Sequence, residues 1–157
     1  MAWQAHVTVA VVIEQEGRFL VVEECAERQD SPVFNQPAGH VEQGETLIEA
    51  ACREALEETG WEVEVTDLLG LYTFSPADKN GEMTYYRVCF VARALRHHPD
   101  RALDDGILRA VWMTPDELHV SGRARSPLVM NCVRDYLSGR RFPLDLIHEH
   151  PFAGAAS

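Results

Sequence analysis

The chain has 157 residues, 46% hydrophobic and 25% charged, which suits one soluble folded domain and excludes a disordered chain, a collagen-like repeat or a coiled coil. Fourteen Lys and Arg against 25 Asp and Glu leave a formal net charge of −11, so neither a nucleic-acid polymer nor an anionic membrane surface is expected as the main partner. A phosphorylated small molecule would need a local correction of that field, and a bound divalent cation is the simplest one.

Cys25, Cys52, Cys89 and Cys132 are widely spaced with no C-x-x-C pair, the pattern of reduced thiols rather than a disulfide framework. No basic-then-apolar leader opens the sequence, and no apolar run approaches the ~18–20 residues that span a bilayer. The expectation is a cytoplasmic protein with one domain over residues 1–150 and a frayed tail over 151–157.

In chain order, the β-branched run Val7–Ile13, a break at Glu14–Gly17 and a second run Phe19–Val22 predict a hairpin of buried strands. Residues 30–44 carry Pro32, Pro37, Gly39 and Gly44 and read as an ordered loop. Thr46-Leu-Ile-Glu49 is a capping box that starts a helix running to Thr59, with Gly60 suited to the left-handed residue beyond its end. Val63 and Val65 suggest a short strand and Leu68–Phe74 another, after which Lys79-Asn80-Gly81 turns into the strand Thr84–Ala92. Ala110–Trp112 reads as a strand leading into a second capping box, Thr114-Pro-Asp-Glu117, and a short helix to about His119. Ser126-Pro127 opens a last helix through Leu137, closed by Ser138-Gly139. Hairpins interleaved with helices fit a mixed α/β (α+β) architecture, a mixed sheet sandwiched between helices.

The predicted helix after Thr46 carries the chemistry. Glu54, Glu57 and Glu58 are related by steps of three and four, so their carboxylates share one face, with Ile48, Cys52, Ala55 and Leu56 turned toward the sheet. Like charges at this spacing repel, and near a helix C-terminus the dipole also disfavours them. For three glutamates taken alone a solvated acidic face is the favoured reading; the alternative is an oxygen-ligand site for a hard cation such as Mg2+.

Taken together, Gly39, Glu45, Arg53, Glu54, Glu57, Glu58 and Gly60 stand at the spacing of the Nudix box, and the chain resembles the Nudix hydrolase family. Ala55 and Trp61 occupy two positions where the box has aliphatic residues. The resemblance implies the Nudix fold and hydrolysis of a diphosphate linkage by metal-assisted attack of water on phosphorus. It implies that Glu57 and Glu58 ligate Mg2+, with Mn2+ as a possible substitute, and that Glu54 ligates it or acts as base. The Gly39 carbonyl would complete the shell, Arg53 would orient the glutamates, and Glu45 would support that network. Within the family, the stretches His6–Ala10, Phe19–Glu24, Asn35–His40, Ser126–Val129 and Ser138–Leu144 resemble a phosphatase group, up to about Ile147. That group acts on nucleoside tri- and diphosphates and thiamine-related pyrimidine pyrophosphate, releasing orthophosphate. A sanitising pyrophosphohydrolase that releases pyrophosphate is the alternative within the family, and a non-catalytic nucleotide sensor the alternative outside its chemistry.

Further candidates stay open at the level of sequence. Asp104 or Asp105 could add a loop carboxylate, with Asp105 the expected metal ligand, although Asp-Asp-Gly is also a turn signal. Asn35, Gln36 and His40 could bind a base or phosphate or tie down the loop. Arg87, Arg123, Arg125, Arg140 and Arg141 could each touch phosphate, and one of Tyr72, Phe74, Tyr85 and Tyr86 could stack on a ring. His97-His98 lacks a third ligand at metal spacing, and Cys52 reads as core. The chain is expected to be a monomer or a homodimer.

Overall fold

A computed structural model of the protein describes residues 2–25 and 31–153. The run Val9–Ile13 is wholly buried, as a strand covered on both faces must be. It forms the middle of β1 (Gln4–Gln15), which turns through Glu16 and Gly17, both at positive φ, into β2 (Arg18–Glu24). The two pair only at Glu14–Phe19 and Gln15–Arg18 before diverging. β1 then lies between two further strands: antiparallel to β4 (Ala38–His40), and parallel to β6 (Met83–His97) from Gln4–Met83 to Ile13–Ala92. β5 (Trp61–Phe74) pairs antiparallel with the far side of β6. β2 pairs antiparallel with β3 (Val33–Asn35) and β7 (Ile107–Met113). Among the described residues these make one mixed sheet of seven strands.

Successive residues of β1 feed opposite cores. Val9, Val11 and Ile13 pack with Ala50, Ala51 and Ala55 of α1 (Leu47–Thr59). Ala10 and Val12 pack with Leu118 of α2 (Pro115–Ser121) and with Val129, Cys132 and Val133 of α3 (Pro127–Leu137). The sheet is therefore the middle layer of three, as the sequence pattern predicts.

Local chemistry explains the ends of α1. The Thr46 hydroxyl accepts from the Glu49 amide at 3.1 Å, the Glu49 carboxylate accepts from the Thr46 amide at 3.3 Å, and Gly60 closes the helix at φ 75°. Thr114 also caps its helix, but Glu117 turns away to pair with Arg18 at 2.9 Å, so only half of the expected second box forms. That helix runs on to Ser121 before Gly122 stops it.

Two segments differ from the sequence reading. The expected loop holds two three-residue strands, β3 and β4, because β1 and β2 supply hydrogen-bond partners that local periodicity cannot reveal. Its first residue, Asp30, lies outside the described residues, as do residues 154–157 of the expected tail. The two strands expected over 63–74 are one, β5, whose register shifts at Val65/Asp67 and Leu68/Gly70 break the alternation. Among the described residues no helix is long and apolar enough to cross a membrane, and all four cysteines are free, with Cys89 and Cys132 buried.

Because α1 carries most of the acidic box, its cap bears on everything built upon it. Thr46→Ala is expected to cost about 1 kcal/mol of unfolding free energy, read by urea denaturation.

Candidate active site

The buried stripe of α1 is Ala50, Ala51, Glu54, Ala55, Glu58 and Thr59. Helical spacing therefore carries two glutamates inward with the alanines. Glu54 and Glu58 are each only 8% exposed, while Glu57 is half-buried at the rim. The face expected to be acidic and outward is turned against β4, leaving Cys52 and Leu56 half-buried at the margin of the core.

β4 receives these side chains closely. The Ala38 amide donates to Glu58 Oε1 at 2.8 Å. Gly39 has no side chain where the Glu54 carboxylate sits, and a Cβ at that position would overlap it. The absent Cβ, more than backbone freedom, is what this glycine contributes.

Arg53 ties the set together. Its guanidinium grips Glu45 through Nη2 at 2.6 Å and Nε at 3.0 Å, reaches Glu54 at 2.8 Å and Glu57 at 3.2 Å, and donates to the His40 carbonyl at 3.1 Å. Glu45 also accepts from the Glu42 amide at 2.7 Å, which fastens the loop to the helix. These bonds hold the Glu45 carboxyl below the usual carboxylate range and raise the pKa of Arg53.

A loop residue completes an oxygen-rich group. One carboxylate oxygen from each of Glu54, Glu57 and Asp104 lies within 4.8 Å of the others. The Asp104 amide donates to the Glu57 carbonyl at 3.0 Å, docking Asp104 on the end of α1. Asp105, the loop aspartate expected from sequence, is not part of this group, whereas its neighbour Asp104 is. Glu58 also lies outside it, on the Ala38 amide.

The electrostatics show strain. Burial pushes Glu58 up to about 8, with the charges of Glu54, Glu24 and Asp104 adding to the effect and the Ala38 amide opposing it. Burial likewise raises Glu54, against the pull of Arg53, and burial together with the Glu57 charge raises Asp104. Negative charge is thus held in excess of what one guanidinium neutralises.

The remaining candidates separate by position. Asn35 and Gln36 face inward, accepting from the buried Arg87 at 2.9 and 2.8 Å, and Gln36 donates to the Val129 carbonyl. Arg125 pairs with Glu24 at 2.5 Å, and Arg123 pairs with Glu23 and lies over Phe34. Arg140 pairs with Asp135 and Arg141 lies over Tyr136, so both belong to the C-terminal end of α3. Tyr72 donates to Asp135 at 2.6 Å, and Tyr86 packs edge-on to Trp3. His97 stacks on Trp61, one of the two departures from the box, and His98 bonds Glu62 at 2.6 Å. Sequence reasoning passed over Glu24, a buried carboxylate whose charge reaches Glu58, and His6, which touches His40 at 2.9 Å. The only sequence signal for Glu24 is an acidic pair closing an apolar strand.

A NUDIX domain model matches residues 4–130 of the chain. The chain belongs to the Nudix family. Phosphatase NudJ of Escherichia coli strain K12 is 38% identical over 145 residues, covering 92% of each chain, and Phosphatase NudJ of Shigella flexneri matches to the same extent. A solved NUDIX hydrolase from Nitrosomonas europaea superposes with a TM-score of 0.87 at 44% identity, covering 94% of this chain and 98% of that one. A MutT NUDIX hydrolase from Burkholderia pseudomallei shares the fold, with a TM-score of 0.70 at 24% identity over 84% of this chain and 98% of its own. This Nudix protein is a hydrolase, and its acidic group stands on the helix of the box.

The raised Glu58 carboxyl has a consequence for stability. Between its ordinary value near 4.5 and the folded value of about 8, the folded chain binds more protons than the unfolded one, so this contribution is complete below the lower value and lost as pH rises through the upper. Glu58→Gln, which keeps an acceptor for the Ala38 amide, should match the parent near pH 4 in the absence of divalent cations. Its advantage should then grow by up to about 1.4 kcal/mol per pH unit toward pH 8, measured by denaturant titration at each pH.

Proposed function

We propose that the protein is a Mg2+-dependent hydrolase that removes orthophosphate from nucleoside tri- and diphosphates and from thiamine-related pyrimidine pyrophosphates, with Mn2+ able to replace Mg2+. The observation that carries this reading is the set of carboxylate oxygens from Glu54, Glu57 and Asp104 within 4.8 Å of one another. Orthophosphate as the product is supported by the relation to proteins named Phosphatase NudJ. The free thiols favour the cytoplasm as its compartment.

The donors fit a hard divalent cation. They are all oxygen and include no thiolate or imidazole, and burial raises the Glu54 and Asp104 carboxyls, with the Glu57 charge adding to both. Glu54, Glu57 and Asp104 would hold it, with Glu58 of α1 and the Gly39 carbonyl of β4 beside them. When bound, the cation supplies charge neutralisation at the phosphate oxygens and a lowered pKa for attacking water. The chain's own residues supply position. Arg53 fixes Glu54 and Glu57 from one guanidinium, Glu45 fixes Arg53 by a two-point grip, and Asp104 is held by its amide bond to Glu57. Where Glu54 does not ligate the cation it is the candidate base, taking the proton of water as the oxygen attacks the terminal phosphorus and the bridging P–O bond breaks, which leaves orthophosphate and a substrate one phosphate shorter.

The test is product release from a panel of nucleoside di- and triphosphates and thiamine-type pyrophosphates with Mg2+, resolving orthophosphate from pyrophosphate. Orthophosphate is expected, and Glu57→Gln should lower kcat on the order of 10²-fold or more. Pyrophosphate would favour the sanitising chemistry. Binding without turnover across the panel would favour the sensor.

The choice between the loop aspartates gives a separate test. Asp104→Asn should weaken Mg2+ or Mn2+ binding by about tenfold or more, measured by calorimetry, whereas Asp105→Asn should leave it near the parent value.

A further inference from the structure

β4 separates two environments. Gly39 faces the Glu54 carboxylate, so alternation turns His40 to the opposite face of the sheet. There His40 Nε2 lies 2.9 Å from His6 Nδ1, with ring centroids 5.1 Å apart. Tyr85 lies 5.5 Å from the His6 ring and 6.4 Å from the His40 ring, tilted to both. The pairings make this one patch, since β1 sets His6 beside Tyr85 and Thr8 beside His40. His40 is exposed and the other two rings are half-buried. On this face the core that α3 covers begins with Ala10 and Cys89, farther along the same strands, so the three rings lie at its uncovered end.

Positive charge borders the patch in a chain that is acidic overall. Arg87, two residues beyond Tyr85, is 7% exposed; neutral amide oxygens hold both of its terminal nitrogens, and it makes no ion pair among the described residues. Arg125, whose charge reaches His40, is 45% exposed and is already paired with Glu24. An aromatic ring attached to phosphates matches both features. Its ring would meet other rings, and its phosphates would pass Arg87 and the edge of β4 to reach the proposed cation-binding group on the other face.

We propose that the His6–His40–Tyr85 cluster receives the aromatic ring of the substrate, so that the enzyme prefers phosphorylated nucleosides and pyrimidines to ring-free polyphosphates. The proposal rests on the hydrolase reading for the position of the phosphates. It assigns these three residues to ring recognition, whereas Asn35 and Gln36 are committed to holding Arg87.

Calorimetric binding tests it with the intact protein and Mg2+, using two probes: cytidine 5′-(α,β-methylene)diphosphate and ring-free methylenediphosphonate. The parent should bind the nucleoside probe on the order of tenfold more tightly. Tyr85→Ala should erase that preference and Tyr85→Phe should keep it. His6→Ala, at a half-buried position, carries the same comparison if Tyr85→Ala does not fold. Equal binding of the two probes by the parent, binding of neither, or a preference that survives in a folded alanine variant would overturn the proposal. Ring preference without turnover on any substrate would instead overturn the hydrolase reading and leave the ring cluster standing.

Discussion

Arg53 meets four acidic side chains and a backbone carbonyl from one position on α1: Glu42 at 3.6 Å, Glu45 at 2.6 Å, Glu54 at 2.8 Å, Glu57 at 3.2 Å and the His40 carbonyl at 3.1 Å. Planar and always charged, a guanidinium can bridge carboxylates that would otherwise splay apart. Through Glu45 it binds the loop after β4 to α1, and through Glu54 and Glu57 it fixes two of the three grouped carboxylates. A lysine would offer a point charge and no fork, so the geometry of the group depends on this residue type as well as on its charge.

The arrangement nonetheless gathers more carboxyl groups than one guanidinium neutralises. Glu54 and Glu58 are buried by the same alternation that buries Ala50, Ala51 and Ala55, and their carboxyls rise because burial disfavours the ionised form. A fold built for stability alone would place apolar residues there. The strain is concentrated where α1, β4 and the loop at Asp104 converge, and a divalent cation is the partner proposed to relieve it.

Much of the frame was legible because local rules and tertiary contacts agree. The buried run of β1, the cap and stop of α1, and the turn at Asn80-Gly81 each carry their own signal. β3 and β4 carry none, since three residues cannot show a period and their pairing partners lie far off in sequence. β5 hides its unity in its bulges. The carboxylates of the box were identifiable by spacing, but their depth was not, because rotation of α1 about its axis is set by packing. That Asp104 and not Asp105 stands with Glu54 and Glu57 shows only in the folded chain, where the Asp104 amide bonds the Glu57 carbonyl.

If Glu54 and Glu57 of α1 form with Asp104 a cation site held under charge strain, cation binding must release protons. Metal-free protein would be titrated with Mg2+ at pH 7 by calorimetry in two buffers of different ionisation enthalpy. With Glu58 pushed up to about 8, the account predicts saturable binding that expels close to one proton per cation, a release that Glu58→Gln reduces. Saturable binding without proton release, or no binding, would contradict it.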